Sequence, residues 1–538
     1  MPDPTTASRP DRDGPPQPAA VVLATTPGAA LSGAEGPLLE RLAGQLGELP
    51  VRRLHLIARD AVTAARPARV PDTFSDTLTS DTRTDTLADS GTVLDVGALA
   101  EAAAAGGRFK PRLITSPGLA ADLRSIAEVA RAEPGPLVVL AGDLVAHGEA
   151  LARIAEPLDT AALVGPAAGA GPLRAPVRVE DGELAASGNV FHEVTAANGA
   201  FGGAFRVAGP DLPGFADVAE ELATLVDEGR FGPIAGDQAA ELLLTGMIRA
   251  GMPVRAVALG PLRARRVADQ AAADAELAGL AEADEARARL EAAVKDDDGV
   301  FTTYAVNTWS PHLVRVAARI GLAPNSVTGI SVGLAAIAAT WFTAGDRGGL
   351  LVGAAALYLS FVFDCVDGQL ARYTRRSTPL GAWLDTVCDR GKEFGVYAAL
   401  AAGYAGAYED VWALAIAAML LLGLRHTIGD SYAGAVAAAG RAGGERARRP
   451  ARSLTLPYDT GALDEDAPRR RRARTAPRGV WARRMVVLPI GERTALICVT
   501  AALFDARVTF LALLGWGGVA TLYMLAGRVA RSLRGAEA

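Results

Sequence analysis

Beyond residue 320 the chain holds six apolar stretches, at roughly 324–344, 349–371, 379–403, 410–434, 489–506 and 508–528. Each is near the ~20 residues that a helix needs to cross a bilayer. In hydrocarbon every backbone polar group must be bonded internally, so such stretches have to be helices. The second and third carry four aspartates, Asp364, Asp367, Asp385 and Asp389. Carboxylates at membrane depth are expensive, and they face a partner or a wet cavity. Asp364 and Asp367 are three residues apart; Gly381, Asp385 and Asp389 are successively four apart, so each set lies on one helix face. Two helices meeting along those faces would converge four carboxylates. All-oxygen ligands of this kind suit Mg²⁺ or Mn²⁺ holding a phosphate.

Charge at the ends of the stretches sets an orientation. Arg372, Arg375 and Arg376 follow the second, Arg446, Arg448, Arg449 and the Arg469–Arg472 run follow the fourth, and Arg528, Arg531 and Arg534 follow the sixth. The intervening short loops carry little positive charge, so the expectation is a multi-pass protein of the cell membrane with both termini cytoplasmic. Just upstream, Tyr304, Trp309, Leu313, Val316 and Ile320 sit among polar residues, as in an interfacial helix over 300–321.

The first 18 residues are Pro-rich and polar, without the apolar core of a targeting peptide, and read as a disordered tail. Residues 19–262 alternate short apolar runs (Ala20–Ala24, Leu54–Ile57, Leu137–Ala141, Ala161–Val164) with amphipathic stretches. That pattern argues for a soluble α/β domain on a mostly parallel sheet. Residues 71–89, rich in Thr, Ser and Asp, read as a loop. From Ala264 to Lys295 the sequence turns to Ala, Glu and Arg at helical spacing, and 263–299 is expected to be a helical linker. The last domain is then 322–538, all-α with six transmembrane helices, interrupted by a basic cytoplasmic loop at about 436–486. A net charge of −6 gives no reason to expect a nucleic-acid partner. The three cysteines, all in apolar segments, have neither metal-ligand nor disulfide spacing.

The run Asp364-x2-Asp367-Gly368-x2-Ala371-Arg372-x8-Gly381-x3-Asp385-x3-Asp389 resembles the complete signature of the CDP-alcohol phosphotransferases. Pro324-Asn325-x2-Thr328 resembles that family's entry into its first span, and the likeness covers roughly residues 300–530. The resemblance implies attack of an acceptor hydroxyl on a CDP-alcohol donor with release of CMP. It implies two divalent ions on Asp364, Asp367 and Asp385, with Asp389 as general base also approaching a metal. Gly368, Ala371 and Gly381 would let the nucleotide come close, and Arg372 would bind its phosphates. It also implies a homodimer working on membrane lipid, with phospholipid or a related phosphodiester as product. The acceptor stays open among inositol phosphate, glycerol 3-phosphate, serine and inositol; for a phosphorylated acceptor, Arg425, Arg483, Arg484 and Arg493 are the available cations.

In the soluble part, Ala20-Val-Val-Leu-Ala-Thr-Thr-Pro-Gly28 and Leu140-Ala-Gly142-Asp143 resemble the opening and the metal-binding strand end of sugar-phosphate nucleotidyltransferases, with Asp237 as a second carboxylate. Ala29-Ala30-Leu31 and Glu35-Gly36 stand where that family has its Arg and Lys, which points to a degenerate domain. An active domain would instead make the chain bifunctional, producing a soluble inositol-type phosphodiester. In another class, the acid cluster alone would suit a cation-handling membrane protein, but that reading leaves Gly368, Ala371, Arg372 and Gly381 unexplained.

Overall fold

The computed structural model describes residues 17–59, 96–105, 109–156, 159–168, 173–232, 234, 236–294, 299–376, 378–442, 451–458 and 486–536. The first 16 residues, the Thr/Ser/Asp-rich loop, the Arg469–Arg472 run, Arg483 and Arg484 lie outside them. Two units result, Met1–Ala288 with Glu445–Ala467, and Arg289–Gly444 with Pro468–Ala538.

Among the described residues, the first unit is built on a nine-stranded sheet. Its strands in chain order are β1 (Ala19–Ala24), β2 (Arg53–Arg59), β3 (Arg112–Ser116), β4 (Leu137–Ala141), β5 (Ala161–Gly165), β6 (Pro176–Glu180), β7 (Glu183–Ser187), β8 (Gly199–Val207) and β9 (Arg255–Ala258). They lie side by side as β3-β2-β1-β4-β8-β5-β9-β7-β6. The four apolar runs seen in the sequence are β1, β2, β4 and β5. Strands β3, β2, β1 and β4 run parallel, as do β5 and β9. Strand β8 enters antiparallel between β4 and β5, and β6 and β7 form an antiparallel edge.

Strand β1 shows why its sequence is apolar throughout. Ala19, Val21 and Leu23 join the core on one face of the sheet, and Ala20, Val22 and Ala24 the core on the other. Side chains alternate across a strand, so a strand covered on both faces loses the polar half of the alternation.

The segment beginning at Ala264 differs from the expected continuous helix. It opens with a short strand, Ala264–Arg266, paired antiparallel with Leu144–Ala146. Two separate helices follow, Gln270–Leu280, capped by Asp269 at the Ala272 amide, and Glu285–Ala293. Arg266 in this strand makes the buried ion pairs described below.

Residues 451–458, in the chain between two helices of the second unit, pack as part of the first. Leu454 is buried in the core beside the sheet. Arg249 donates to the carbonyls of Ser453 at 2.6 Å and Tyr458 at 3.0 Å, and His192 Nε2 meets the carbonyl of Leu454 at 2.8 Å. This part of the expected solvated loop is therefore ordered by backbone bonds. Burial pushes the His192 ring down to about 4, outweighing the Leu454 carbonyl and helped by the nearby Arg249 charge. A ring with a lowered folded-state pKa is stabilising while neutral, and that stability drains as pH falls from about 6.5 toward about 4. Between about pH 7 and pH 5, opening of this segment should become easier by about 2 kcal/mol. Hydrogen exchange of the 451–458 amides, corrected for intrinsic rates, reads this; an unchanged pH slope in His192→Gln would reject the assignment.

Among its described residues the second unit contains six long helices, α1 (Pro324–Phe342), α2 (Arg347–Thr374), α3 (Pro379–Ala407), α4 (Trp412–Ala442), α5 (Ile490–Leu503) and α6 (Ala506–Ala536). They coincide with the six apolar stretches, but only α1, α2, α4 and α6 of these are long and apolar enough to cross a membrane. Helix α5 has 14 residues, about 21 Å of rise against a ~30 Å hydrocarbon core. Helix α3 is 29 residues long and carries Asp385, Asp389, Arg390, Lys392 and Glu393 in its first half. By length and composition, four of the six expected spans are candidates for crossing a membrane. Phe301–Ile320 forms a π-turn and a short helix, Ser310–Arg319, with Val314 and Ala317 buried and Val316 and Ile320 exposed.

Candidate active site

The turn between α2 and α3 sets the geometry of the acidic faces. Helix α2 ends on Arg375, whose φ of 55° is the left-handed conformation that stops a helix. Thr378 then caps α3, accepting from the Gly381 amide at 3.0 Å, with Pro379 at the first helical position. After this short turn α3 packs mainly against α1.

The aspartates converge as the spacing implied. One carboxylate oxygen each from Asp364, Asp367 and Asp385 lie within 4.8 Å of one another. Thr328 on α1 donates to Asp367 Oδ2 at 2.6 Å. The Pro-Asn-x2-Thr run thus has a physical role, since its threonine holds one carboxylate of the cluster. Three hard anionic oxygens at this separation fit a Mg²⁺- or Mn²⁺-sized ion.

Asp389 is not one of those three, but it shares the Lys392 ammonium with Asp364. It pairs with Lys392 at 2.8 Å, one turn further along α3. Lys392 also pairs with Asp364 and donates to Ser331 Oγ at 3.0 Å. Sequence reading missed Lys392, although a cation three residues after Asp389 on the same face was a visible signal. Ser360, Asp364, Asp389, Lys392, Glu393 and Thr494 line a common cavity.

Of the other residues singled out, Gly381 has a definite reason. A Cβ there would stand 3.0 Å from Thr378 Oγ1 and 3.1 Å from Asn325 Oδ1. At Gly368 the added carbon would merely touch the Arg372 guanidinium at 3.4 Å. Ala371 and Arg372 occupy the last turn of α2, where Arg372 Nε donates to the Ala293 carbonyl at 2.6 Å. Arg493 is ion-paired with Glu393 at 2.7 Å, and Glu393 also lies 3.5 Å from His426 Nε2. Arg425 donates to the carbonyls of Val487 and Leu488 at 2.8 and 3.0 Å. Arg425 and Arg493, two of the four arginines expected at an acceptor phosphate, thus each have a partner within this unit.

In the first unit, Asp143 follows β4 as expected, but its charge is spent internally. Arg266 Nε and Nη2 donate to its two oxygens at 2.8 and 2.9 Å, while Nη1 donates to both oxygens of Glu241 at 2.8 and 2.9 Å. Thr26 adds a bond to Asp143 Oδ2 at 2.9 Å. The Asp143 and Arg266 side chains are each 2 % exposed and that of Glu241 is 0 %. Burial alone would weaken the Arg266 charge; the two carboxylates overcome this and raise its pKa. The glycine-containing loop closes on the same spot, because a Cβ on Gly28 would lie 2.4 Å from the Val267 carbonyl and 2.8 Å from Asp143 Cβ. Asp237 sits in the turn Gly236–Gln238. Among the described residues, no cluster of three or more metal-ligating side chains includes Asp143 or Asp237.

Residues 321–456 match the CDP-alcohol phosphatidyltransferase family model. A phosphatidylinositol phosphate synthase of Mycobacterium marinum is 32% identical over 152 residues, which is 28% of this chain and 64% of the relative. The chain therefore spans a little under two-thirds of that protein's length. The same enzyme of Mycobacterium bovis is also 32% identical over 152 residues, covering 69% of its length. Among solved structures, the Mycobacterium tuberculosis phosphatidylinositol phosphate synthase with CDP-DAG bound aligns at 21% identity with a TM-score of 0.26, covering 41% of this chain and 92% of the other. The inositol-1-phosphate CTP transferase of T. maritima aligns at 13% identity with a TM-score of 0.33, covering 49% of this chain and 95% of the other. With its signature intact from Asp364 to Asp389 and a relative 32% identical across 69% of that relative's length, the chain belongs to the CDP-alcohol phosphatidyltransferase family.

Proposed function

We propose that the second unit is a membrane-embedded, metal-dependent CDP-alcohol phosphotransferase, with CDP-diacylglycerol as donor and a phospholipid as product. The observation that carries this is the convergence of Asp364, Asp367 and Asp385 within 4.8 Å on helices that include a membrane-length span. The curated relatives, which are phosphatidylinositol phosphate synthases, support the donor. A divalent ion held by these carboxylates would neutralise the pyrophosphate and ease departure of CMP. The chain's own residues do the rest. Thr328 fixes Asp367. Asp389, in the cavity beside the cluster, takes the proton of the attacking hydroxyl. Gly368 and Ala371 leave room for the nucleotide along α2, and Arg372 at the end of that helix faces its phosphates. The acceptor oxygen bonds to the β-phosphorus as the bond from that phosphorus to the CMP oxygen breaks.

Positive charge flanking α2 and α6 supports an orientation with both termini cytoplasmic. With Arg425 and Arg493 committed to internal partners, the acceptor is left to experiment. The first unit is a nucleotidyltransferase-like domain without transferase activity, because the carboxylate that would hold its metal is neutralised by Arg266.

The test is release of CMP by the purified chain from CDP-diacylglycerol, across a panel of inositol phosphate, inositol, glycerol 3-phosphate and serine. EDTA should abolish release and added Mn²⁺ should restore it. Undiminished release in EDTA would overturn the metal dependence.

A further inference from the structure

We propose that the helical unit carries a lipid site at the end remote from the aspartates, a cavity that takes the headgroup of a zwitterionic phospholipid. Its phosphate meets Arg347, and its ammonium meets Tyr404, Tyr408 and Asp505. The cavity forms where the α1–α2, α3–α4 and α5–α6 connections come together, and Arg347, Leu350, Leu400, Tyr404, Tyr408 and Asp505 line it. Asp364 lies 17 residues beyond Arg347 on α2, roughly 26 Å at the helical rise, so the cavity is separate from the aspartate site and independent of its chemistry.

The cavity sits at headgroup depth. Each of the four candidate spans has an end here: α1 stops at Phe342, α2 starts at Arg347, α4 at Trp412 and α6 at Ala506. Trp341 and Trp412 are exposed at these ends, as expected of rings at a membrane–water boundary. The frame is tight. A Cβ on Gly345 would collide with the Gly403 carbonyl, and one on Gly403 with the Phe342 carbonyl, so the end of α1 meets α3 backbone to backbone.

The charges at this end are the unusual feature. Arginines gather beyond the opposite ends of α2 and α6, as positive-inside bias favours. Arg347 and Arg507 stand at this end instead. Arg507 has Glu409 as partner at 3.1 Å. Arg347 has no carboxylate partner among the described residues; its Nη1 donates to the Phe504 carbonyl at 3.2 Å, which ties the start of α2 to the end of α5. The rest of the guanidinium fork is left for an anion, and phosphate is the anion that lies at this depth.

The other half of the cavity suits a cation. Tyr404 and Tyr408 stand one turn apart at the end of α3, with ring centroids 5.0 Å apart and planes inclined by 34°. Open aromatic faces of this kind hold an ammonium. Asp505 adds negative charge: its Oδ1 caps α6 at the Val508 amide at 2.9 Å, and its Oδ2 has no partner among the described residues. Leu350 and Leu400 give the apolar wall. An arginine and an acid–aromatic set in one cavity match a headgroup that carries both signs, and a lipid with only one sign leaves half of the set unmatched.

Lipid retained by the purified full chain, read by native mass spectrometry from an equimolar mixture, tests this. The mixture holds dioleoylphosphatidylethanolamine, dioleoylphosphatidylglycerol, which lacks the ammonium, and dioleoyl-trimethylammonium-propane, which lacks the phosphate. Wild type should retain the ethanolamine lipid about tenfold over either of the others. Arg347→Met should cancel the preference over the trimethylammonium lipid, and Tyr404→Leu the preference over the glycerol lipid, with circular dichroism checking that each is folded. If Tyr404→Leu does not fold, Tyr408→Ala takes its place, at a ring 66% exposed. Equal retention of the three lipids by wild type, or an unchanged preference in the folded variants, would overturn the proposal. Displacement of the retained lipid by an equimolar amount of soluble glycerophosphoethanolamine would also overturn it, by making the ligand a free phosphodiester and not a lipid.

Discussion

Asp389→Asn should lower CMP release by about 10²–10⁴-fold, the usual contribution of a positioned general base. Asparagine keeps the shape of the side chain and cannot take a proton. The variant is informative because Asp389 is outside the three-carboxylate group. Mn²⁺ should therefore still bind at Asp364, Asp367 and Asp385 while turnover is lost. Asp367→Asn should behave differently and lose both, since it removes a member of the group. The Lys392 ammonium keeps Asp364 and Ser331 as partners in Asp389→Asn, so the fold should survive. Turnover within a few-fold of wild type would remove Asp389 from the chemistry; parallel loss of Mn²⁺ would make it a ligand and not a base.

The second large effect is in the α/β unit. Arg266→Met should destabilise that unit by about 3–5 kcal/mol, because it strands two buried carboxylates, Asp143 and Glu241. Replacing all three with apolar residues of similar volume, Asp143→Leu, Glu241→Leu and Arg266→Met together, should recover most of the loss, since a fully apolar exchange leaves no charge unpaired. Hydrogen exchange of the central strands in the full chain measures both. A structural triad also has a chemical consequence: CTP and inositol phosphate should yield no pyrophosphate. Pyrophosphate release, lost in Asp143→Asn, would show that Asp143 is a working ligand and that Arg266 moves aside for it.

The features visible in the sequence were those whose cause is local. A strand covered on both faces is apolar at every position, so β1, β2, β4 and β5 could be found by eye. The aspartate faces were legible because helical periodicity fixes which residues share a side, and α2 and α3 supply that periodicity. What escaped was set by distant partners. Arg266 looks like one more arginine at the start of a helical stretch, yet it lies in a strand and pairs with Asp143, 123 residues away. Leu454 sits in a run that reads as solvated loop and is buried by the core of the α/β unit. The partners of Arg425 and Arg493, the Val487 and Leu488 carbonyls and Glu393, were likewise out of reach of local pattern. All six apolar stretches are helices, and the charges of α3 and the shortness of α5 are what set those two apart from the four that are long and apolar enough to cross a membrane.

Release of CMP tests the reaction assigned to the aspartate site with least interpretation. The purified full chain, given CDP-diacylglycerol, Mn²⁺ and the acceptor panel, should release CMP in step with a new lipid phosphodiester for at least one acceptor. Release should stop in EDTA and in Asp389→Asn. Movement of divalent ions across vesicles holding the protein, with no CMP formed under any acceptor, would contradict that reaction and make the acidic cluster a path for cations.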